Sequence, residues 1–263
     1  MSAKTDMEAV AEVARIAGDE AMRHYGRGIS IEMKGDGSPV TIADRGAEEL
    51  ARRWIEARFP EDGIVGEEFG TLRPNAKRRW IIDPIDGTKS FVRTVPLWGT
   101  LVAIAEGDRV VAGAAYFPVL GEMAVAAAGE GCWWNDSRCN VSSLADISAA
   151  TVLTSDMQFG MAPERWEGWN ALNNGGAVSR TWGDCYGYLL VATGRAEVMA
   201  DPIVSAWDVA ALMPLITEAG GVFTSWDGES TAFGGSAIAT NAALAREARE
   251  ILGCQRVPEQ SPR

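Results

Sequence analysis

The chain has 263 residues, 47% of them apolar, with 36 acidic against 24 basic side chains and a formal net charge of −12. That length and apolar fraction can fill the core of one large domain or two small ones. The acidic balance argues against a nucleic-acid backbone as partner, and no basic run offsets it.

The N-terminal stretch MSAKTDMEAVAEVARIAG mixes acids with apolar residues, so it does not read as a secretory signal, and nowhere do about 20 apolar residues run together. A cytoplasmic protein that engages no membrane is expected. Val10, Val13, Ala17, Met22 and Tyr25 predict an amphipathic first helix, near whose end lies His24, the single histidine. Ser-His-Asp triads, H-E-x-x-H zinc sites and histidine phosphotransfer therefore all lack their usual residue, and hydrolytic chemistry falls to carboxylates. KGDGSPVT reads as a glycine-rich turn. TIADRGAEELARRWIEARF reads as a second helix, with Ala43, Ala47, Leu50, Trp54 and Phe59 near helical spacing.

GIVGEEFG is a short apolar run ending in acids, and RRWIID is a strand. PLWGTLVAIAEGDRVVAGAAYFPVLGEMAVAAAGEGCWW alternates β-branched, small and aromatic residues between turn signals, which predicts an antiparallel meander. The four cysteines form no C-x-x-C pair, so reduced thiols are expected rather than a zinc site. Cys132 and Arg138 have the spacing of cysteine-dependent phosphatases, but Trp133, Trp134, Asn135 and Asp136 cannot make a phosphate cradle. From about residue 141 the pattern becomes α/β. TVLTS, AVSRTW and AEVMAD read as strands, while GDCYGYLLVATG and SAWDVAALMPLITEAGG read as helices; Val209, Leu212, Leu215 and Ile216 form the buried face of the latter and Gly220-Gly221 its stop. Two units are expected, 1–140 as α+β and 141–263 as α/β.

Residues 80–90, WIIDPIDGTKS, run an apolar triplet into two aspartates. In a regular strand Asp83 and Asp86 would face opposite ways, but Pro84 and Gly87 permit a bend that brings both carboxylates towards one point. Two carboxylates at about 4 Å repel by about 1 kcal/mol in water and about 4 kcal/mol at an effective dielectric of 20, so such a pair invites a cation. Glu67 and Glu68 can add a third carboxylate, and hard oxygen ligands without histidine point to Mg2+. Simpler roles exist for the other acids. Asp44 follows Thr41 by three residues and Asp208 follows Ser205 by three, as helix-capping acids do. Asp201, before Pro202, and Thr88 suit turns.

GEE at 66–68, WIIDPIDGTKSF at 80–91 and WDVAALMPLITEAGG at 207–221 together resemble the inositol monophosphatase family, in the family's order and across nearly the whole chain. The resemblance implies a Mg2+-dependent phosphomonoesterase with an αβαβα layered sandwich, a small phosphorylated substrate, and a homodimer. It implies that Glu67, Asp83 and the backbone carbonyl of Ile85 hold one ion, and that Asp83, Asp86 and Asp208 hold a second. Glu67 and Thr88 would activate a water, with Asp44 supporting that relay or a third, weaker ion. Gly87 and Thr88, with the helix beginning near Trp207, would hold phosphate oxygens, assisted by Lys89.

Asp201 stands seven residues before Asp208, where inositol phosphatases carry an acid that bonds sugar-like hydroxyls. Asp184 offers another carboxylate, and GDCY with SFVRTVPLWGTLVAI resembles the histidinol-phosphate phosphatases of the family. Two acids suit the amine and imidazole of L-histidinol phosphate better than a polyol, because charge-assisted bonds are about twice as strong as neutral ones. Inositol 1-phosphate, or sugar phosphates more broadly, is the alternative substrate. A phosphoaspartyl mechanism fits poorly, since the two aspartates are three rather than two residues apart. A non-catalytic metal or phosphate sensor is the alternative from a different class.

Overall fold

The computed structural model describes residues 2–28, 30–33, 35, 39–157, 163–254 and 256. Half of the expected glycine-rich turn at 34–41, residues 34 and 36–38, lies outside them. Helices α1 (Ala3–Met22) and α2 (Ile42–Arg58) form the first layer. A two-stranded ribbon of β1 (Ile31–Met33) and β2 (Pro39–Thr41) connects them. On α2 the buried stripe is Ala43, Ala47, Ala51 and Ile55, while Leu50, Trp54 and Phe59 are only half-buried. The small residues let the helix approach the sheet closely.

That sheet contains β3 (Gly63–Gly66), β4 (Gly70–Leu72), β5 (Arg78–Asp86), β6 (Gly99–Glu106), β7 (Arg109–Phe117), β8 (Glu122–Ala127), β9 (Gly131–Trp134) and β10 (Ser137–Cys139). Their order is β10-β9-β8-β7-β6-β5-β3-β4. From β5 to β10 every neighbour is antiparallel, as the meander predicts, whereas β3 runs parallel to β5. Strand periodicity divides the two faces cleanly. Trp80, Ile82, Val102, Ile104, Ala112 and Ala114 pack towards α1 and α2, while Ile81, Leu101, Ala103 and Ala115 pack on the other side.

After the four-residue helix α3 (Thr88–Phe91), the chain from 141 onward builds a second sheet. It contains β11 (Thr151–Leu153), β12 (Val178–Arg180), β13 (Val198–Asp201), β14 (Val222–Thr224) and β15 (Ala237–Thr240), ordered β12-β11-β13-β15-β14. Helices α4 (Pro163–Gly175), α5 (Asp184–Ala192), α6 (Ala206–Val209), α7 (Leu212–Glu218) and α8 (Ala245–Ile251) accompany it. α5 and α7 fill the space between the sheets, and α4 and α8 cover the outer face through Trp169, Leu172, Leu244 and Ala248. The layers are α, β, α, β, α, as expected.

The segment at 205–221 is two short helices rather than one. Pro214 has no N–H for the Ala210 carbonyl, so the helical ladder is interrupted where α6 passes into α7. Val209, Leu212, Leu215 and Ile216 are buried as expected, and Gly220 ends α7 at φ +85°. α4, α8, β14 and β15 carry patterns too short or too polar to have been anticipated. Among the described residues no helix is long and apolar enough to cross a membrane.

Candidate active site

The DPID motif does not end its strand as expected. β5 continues to Asp86, and the bend appears instead as a register shift against β6 between Asp83 and Asp86. Pro84, without an N–H, sits inside the irregular stretch, where its carbonyl accepts the buried Thr100 hydroxyl at 2.7 Å. The Ile85 amide closes back on Asp83 Oδ1 at 3.0 Å. Gly87 then takes φ +85°, and a Cβ there would lie 3.0 Å from the Leu97 carbonyl and 3.1 Å from Asp184 Oδ2. Only glycine fits that passage.

The extra residue brings Asp83 and Asp86 to one side, where Asp208 joins them from α6. One carboxylate oxygen from each of the three lies within 4.8 Å of the others. Asp83 is 2% exposed. Burial, followed by the charges of Glu67, Asp86 and Asp208, pushes its carboxyl well above the usual range. Asp86 is likewise raised by burial and by Asp184 and Asp208. Asp208 is pushed up to about 7, chiefly by burial, although the Ser205 amide opposes the shift. Clustered, partly buried oxygen ligands whose charge the protein itself leaves unbalanced are the donor set of a hard divalent cation, so the residues fit Mg2+.

Asp208, and Asp44 outside that cluster, are also helix caps. Asp44 Oδ2 accepts the Thr41 amide at 2.8 Å and the Thr41 hydroxyl at 2.6 Å, completing a capping box on α2. Its Oδ1 lies 3.5 Å from the Thr88 hydroxyl, which is closer, at 3.0 Å, to the Ile85 carbonyl. Asp208 Oδ2 accepts the Ser205 amide at 2.7 Å in the same manner on α6. Asp44 spends one oxygen on its helix and turns the other to Thr88, while Asp208 caps α6 and also lines the cleft.

Glu67 follows β3 directly, and its amide bonds the Ile82 carbonyl at 3.2 Å, which carries the β3–β5 pairing up to the metal-ligand candidates. The turn behind it is held by a residue that the sequence reading missed. Glu48, fully buried on α2, accepts the Glu68 amide at 2.7 Å, the Phe69 amide at 3.2 Å and Arg52 Nε at 2.7 Å. A Cβ on Gly66 would lie 2.0 Å from Glu48 Oε1. The available signal was an acid four residues after Asp44 on the alanine face, paired with Arg52 four residues later. Gly66→Ala, which must displace that carboxylate, is expected to lower turnover about 10–100-fold, the range for partners that orient metal ligands. Unchanged kcat and Mg2+ dependence in that variant would show that the turn holds Glu67 without Glu48.

A cleft of about 300 Å³ is lined by Pro39, Glu67, Asp83, Ile85, Asp86, Gly87, Thr88, Lys89, Asp184, Ser205, Trp207 and Asp208. It therefore gathers every expected site residue except Asp44, behind Thr88, and Asp201. A smaller cavity of about 100 Å³ adjoins it through Asp86, Asp184 and Asp208 and reaches Ser155, Tyr188 and Asp201. Asp184 is pushed up to about 6 by burial and by Asp201, against the opposing charge of Lys89. Asp201 is buried, and both its oxygens are already bonded by Thr154, Ser155 and Tyr188, unlike the free acid expected from the sequence. A larger groove of about 690 Å³ lies between α1 and strands β7 to β9, away from this cluster.

Residues 3–257 match the sequence model of the inositol monophosphatase family. A histidinol-phosphatase of Chlorobaculum parvum is 40% identical over 250 residues, covering 94% of this chain and 96% of that protein. One from Mycobacterium tuberculosis is 40% identical over 221 residues, covering 82% and 85%. Among solved structures, an inositol monophosphatase from Zymomonas mobilis superposes with a TM-score of 0.86 at 29% identity, covering 96% of this chain and 99% of that one. The shared fold, the acidic cleft and this length of sequence similarity lead to one conclusion: the chain belongs to the inositol monophosphatase family, a family of phosphoric monoester hydrolases.

Proposed function

We propose that the protein is a Mg2+-dependent phosphatase that hydrolyses L-histidinol phosphate to L-histidinol and phosphate, a step of histidine biosynthesis. The observation that carries the chemistry is the convergence of Asp83, Asp86 and Asp208 within 4.8 Å beside Glu67 and Thr88 in one cleft. Glu67, Asp83 and the Ile85 carbonyl would hold one Mg2+, and Asp83, Asp86 and Asp208 another, with Asp44 behind Thr88 supporting the proton relay or a third, weaker ion. When bound, such ions acidify water and stabilise charge on the transferring phosphoryl group and its leaving oxygen.

The chain's own residues supply orientation and proton transfer. Glu67 accepts a proton from the attacking water. Thr88 Oγ1 lies between the Ile85 carbonyl at 3.0 Å and Asp44 Oδ1 at 3.5 Å. Its own hydrogen thus has an acceptor while a lone pair remains for the water. The water oxygen bonds phosphorus, the ester P–O bond breaks on the opposite side, and the departing oxygen takes up a proton from solvent water, to which Glu67 returns its own. Gly87 and Thr88 line the phosphate end of the cleft, with Lys89 beside them.

Substrate choice follows from the leaving-group end. Asp184 supplies a carboxylate there, which suits an amine and an imidazole, and the curated relatives at 40% identity are histidinol-phosphatases. An inositol-1-monophosphatase of Mesorhizobium japonicum is 29% identical over 247 residues, so inositol 1-phosphate is the competing ester. Phosphate release from L-histidinol phosphate, inositol 1-phosphate and p-nitrophenyl phosphate with Mg2+ tests the reading. A kcat/KM at least tenfold higher for L-histidinol phosphate is expected, and a preference for the inositol ester would replace the substrate while leaving the chemistry intact. Gel filtration of the same preparation tests the homodimer.

A further inference from the structure

Asp201 closes β13 at 4% exposure, and its two oxygens face four donors. The Ser155 amide at 2.8 Å and Thr154 Oγ1 at 3.3 Å meet Oδ1, while Ser155 Oγ at 2.9 Å and the Tyr188 hydroxyl at 3.0 Å meet Oδ2. A carboxylate offers about four lone-pair positions. Three short bonds and the longer one from Thr154 Oγ1, whose hydrogen also faces the Asp156 carbonyl at 3.4 Å, occupy them, so an ammonium or imidazolium entering the cleft finds little free acceptor capacity there.

The bonds continue towards the acidic cluster. Ser155 Oγ spends its hydrogen on Asp201, which leaves only lone pairs, and one of these accepts the Asp184 amide at 2.8 Å. Asp184 adopts φ +48°, a left-handed conformation that aspartate tolerates better than most residues with a Cβ, and this bond helps to hold it there. The preceding Gly183 lies so close that a Cβ would fall 2.1 Å from Ser155 Cα. From this backbone the Asp184 carboxylate turns to Gly87, and the next amide, that of Cys185, donates to Asp86 Oδ2.

We propose that Asp201 is a positioning residue: through Ser155 it fixes the Asp184–Cys185 backbone, which sets the Asp184 carboxylate in the cleft and orients Asp86. The leaving group is met by Asp184, and Asp201 acts only behind it. This rests on the phosphatase reading of the cleft for its kinetic part. It departs from that reading's sequence basis, in which both acids touch the ligand.

The test compares the wild-type chain with Asp201→Asn, Ser155→Ala and the double variant, on L-histidinol phosphate and on p-nitrophenyl phosphate, which has no cationic group. Each single change is expected to lower kcat about tenfold on both esters with little change in KM, the equivalent of one buried hydrogen bond left unmade. Mg2+ affinity by titration calorimetry should weaken by a similar factor, and the Asp184 and Cys185 amides should exchange hydrogen about tenfold faster. The double variant should be no worse than either single one, since both act through one chain of bonds. A rise in KM confined to L-histidinol phosphate, with amide exchange unchanged, would show Asp201 touching the ligand and overturn the proposal. So would additive losses, or a lowered thermal midpoint with kcat and Mg2+ affinity intact. If the wild-type chain hydrolyses neither ester, the phosphatase reading fails, while the exchange and calorimetric results still decide for or against the positioning role.

Discussion

Asp83→Asn is expected to lose nearly all turnover and at the same time to raise the thermal midpoint of the metal-free protein. Both effects have one cause. Asp83 is the most deeply buried of the three clustered carboxylates, and its ionised form is opposed by burial and by three acidic neighbours. Its charge is therefore a liability until a cation arrives. Removing it relieves that cost but takes away the oxygen proposed to be shared between two ions. Such a loss forfeits several kcal/mol of transition-state stabilisation, about 10³-fold in rate. EDTA should bring the wild-type enzyme to the same level, with recovery on adding Mg2+. Wild-type activity after thorough chelation, or a variant that turns over normally, would sink the two-ion mechanism. A variant that loses activity together with its fold would show Asp83 to be structural instead.

The second large effect is the pH dependence of stability. An unfolded aspartate titrates near 3.9. In the folded chain burial raises Asp184 to about 6 and Asp208 to about 7, with Asp83 and Asp86 also displaced upward. Below the unfolded value both states are protonated and nothing is gained or lost. Between that value and about 7 the folded state retains protons that the unfolded state has released, so stability falls as pH rises through the window. The metal-free chain should therefore melt at a lower temperature at pH 8 than at pH 5. Saturating Mg2+ should close the gap. At a hundred times its dissociation constant a ligand adds about 2.7 kcal/mol, roughly 5–10 °C for a chain of this size. Differential scanning fluorimetry at both pH values, with Mg2+ and with EDTA, reads the effect. A metal-free midpoint that climbs from pH 5 to pH 8 would reverse the assigned direction.

Much of this architecture could be read from the chain because periodicity reports burial directly. The meander's alternation resolves into the two faces of one sheet, and Val10, Val13 and Ala17 of α1 are buried as spaced, while Met22 and Tyr25, the latter beyond the helix end, are half-buried against the same core. Reading failed where one residue serves two purposes. Pro214 lies in a stretch whose apolar spacing is helical throughout, yet its missing N–H divides α6 from α7. Glu48 looks like one half of a surface pair with Arg52, but the alanine face carries it inside to hold the turn after Glu67. Asp201 is a carboxylate at a suggestive spacing, and only the structure shows that Ser155 and Tyr188 donate to it from its own chain. Sequence spacing locates an acid along the chain. It does not count the donors that surround it.

The capping of α2 and α6 by Asp44 and Asp208, beside the site role proposed for them, bears on how diverged relatives of this chain should be judged. A descendant that stopped binding ions would still need both residues to begin α2 and α6, so selection for folding alone could preserve them. Their persistence in a sequence is then poor testimony to activity. Glu67 stands at the end of a strand and begins no helix. Its replacement, in a chain that otherwise keeps the pattern, is the mark by which a silent copy would be recognised.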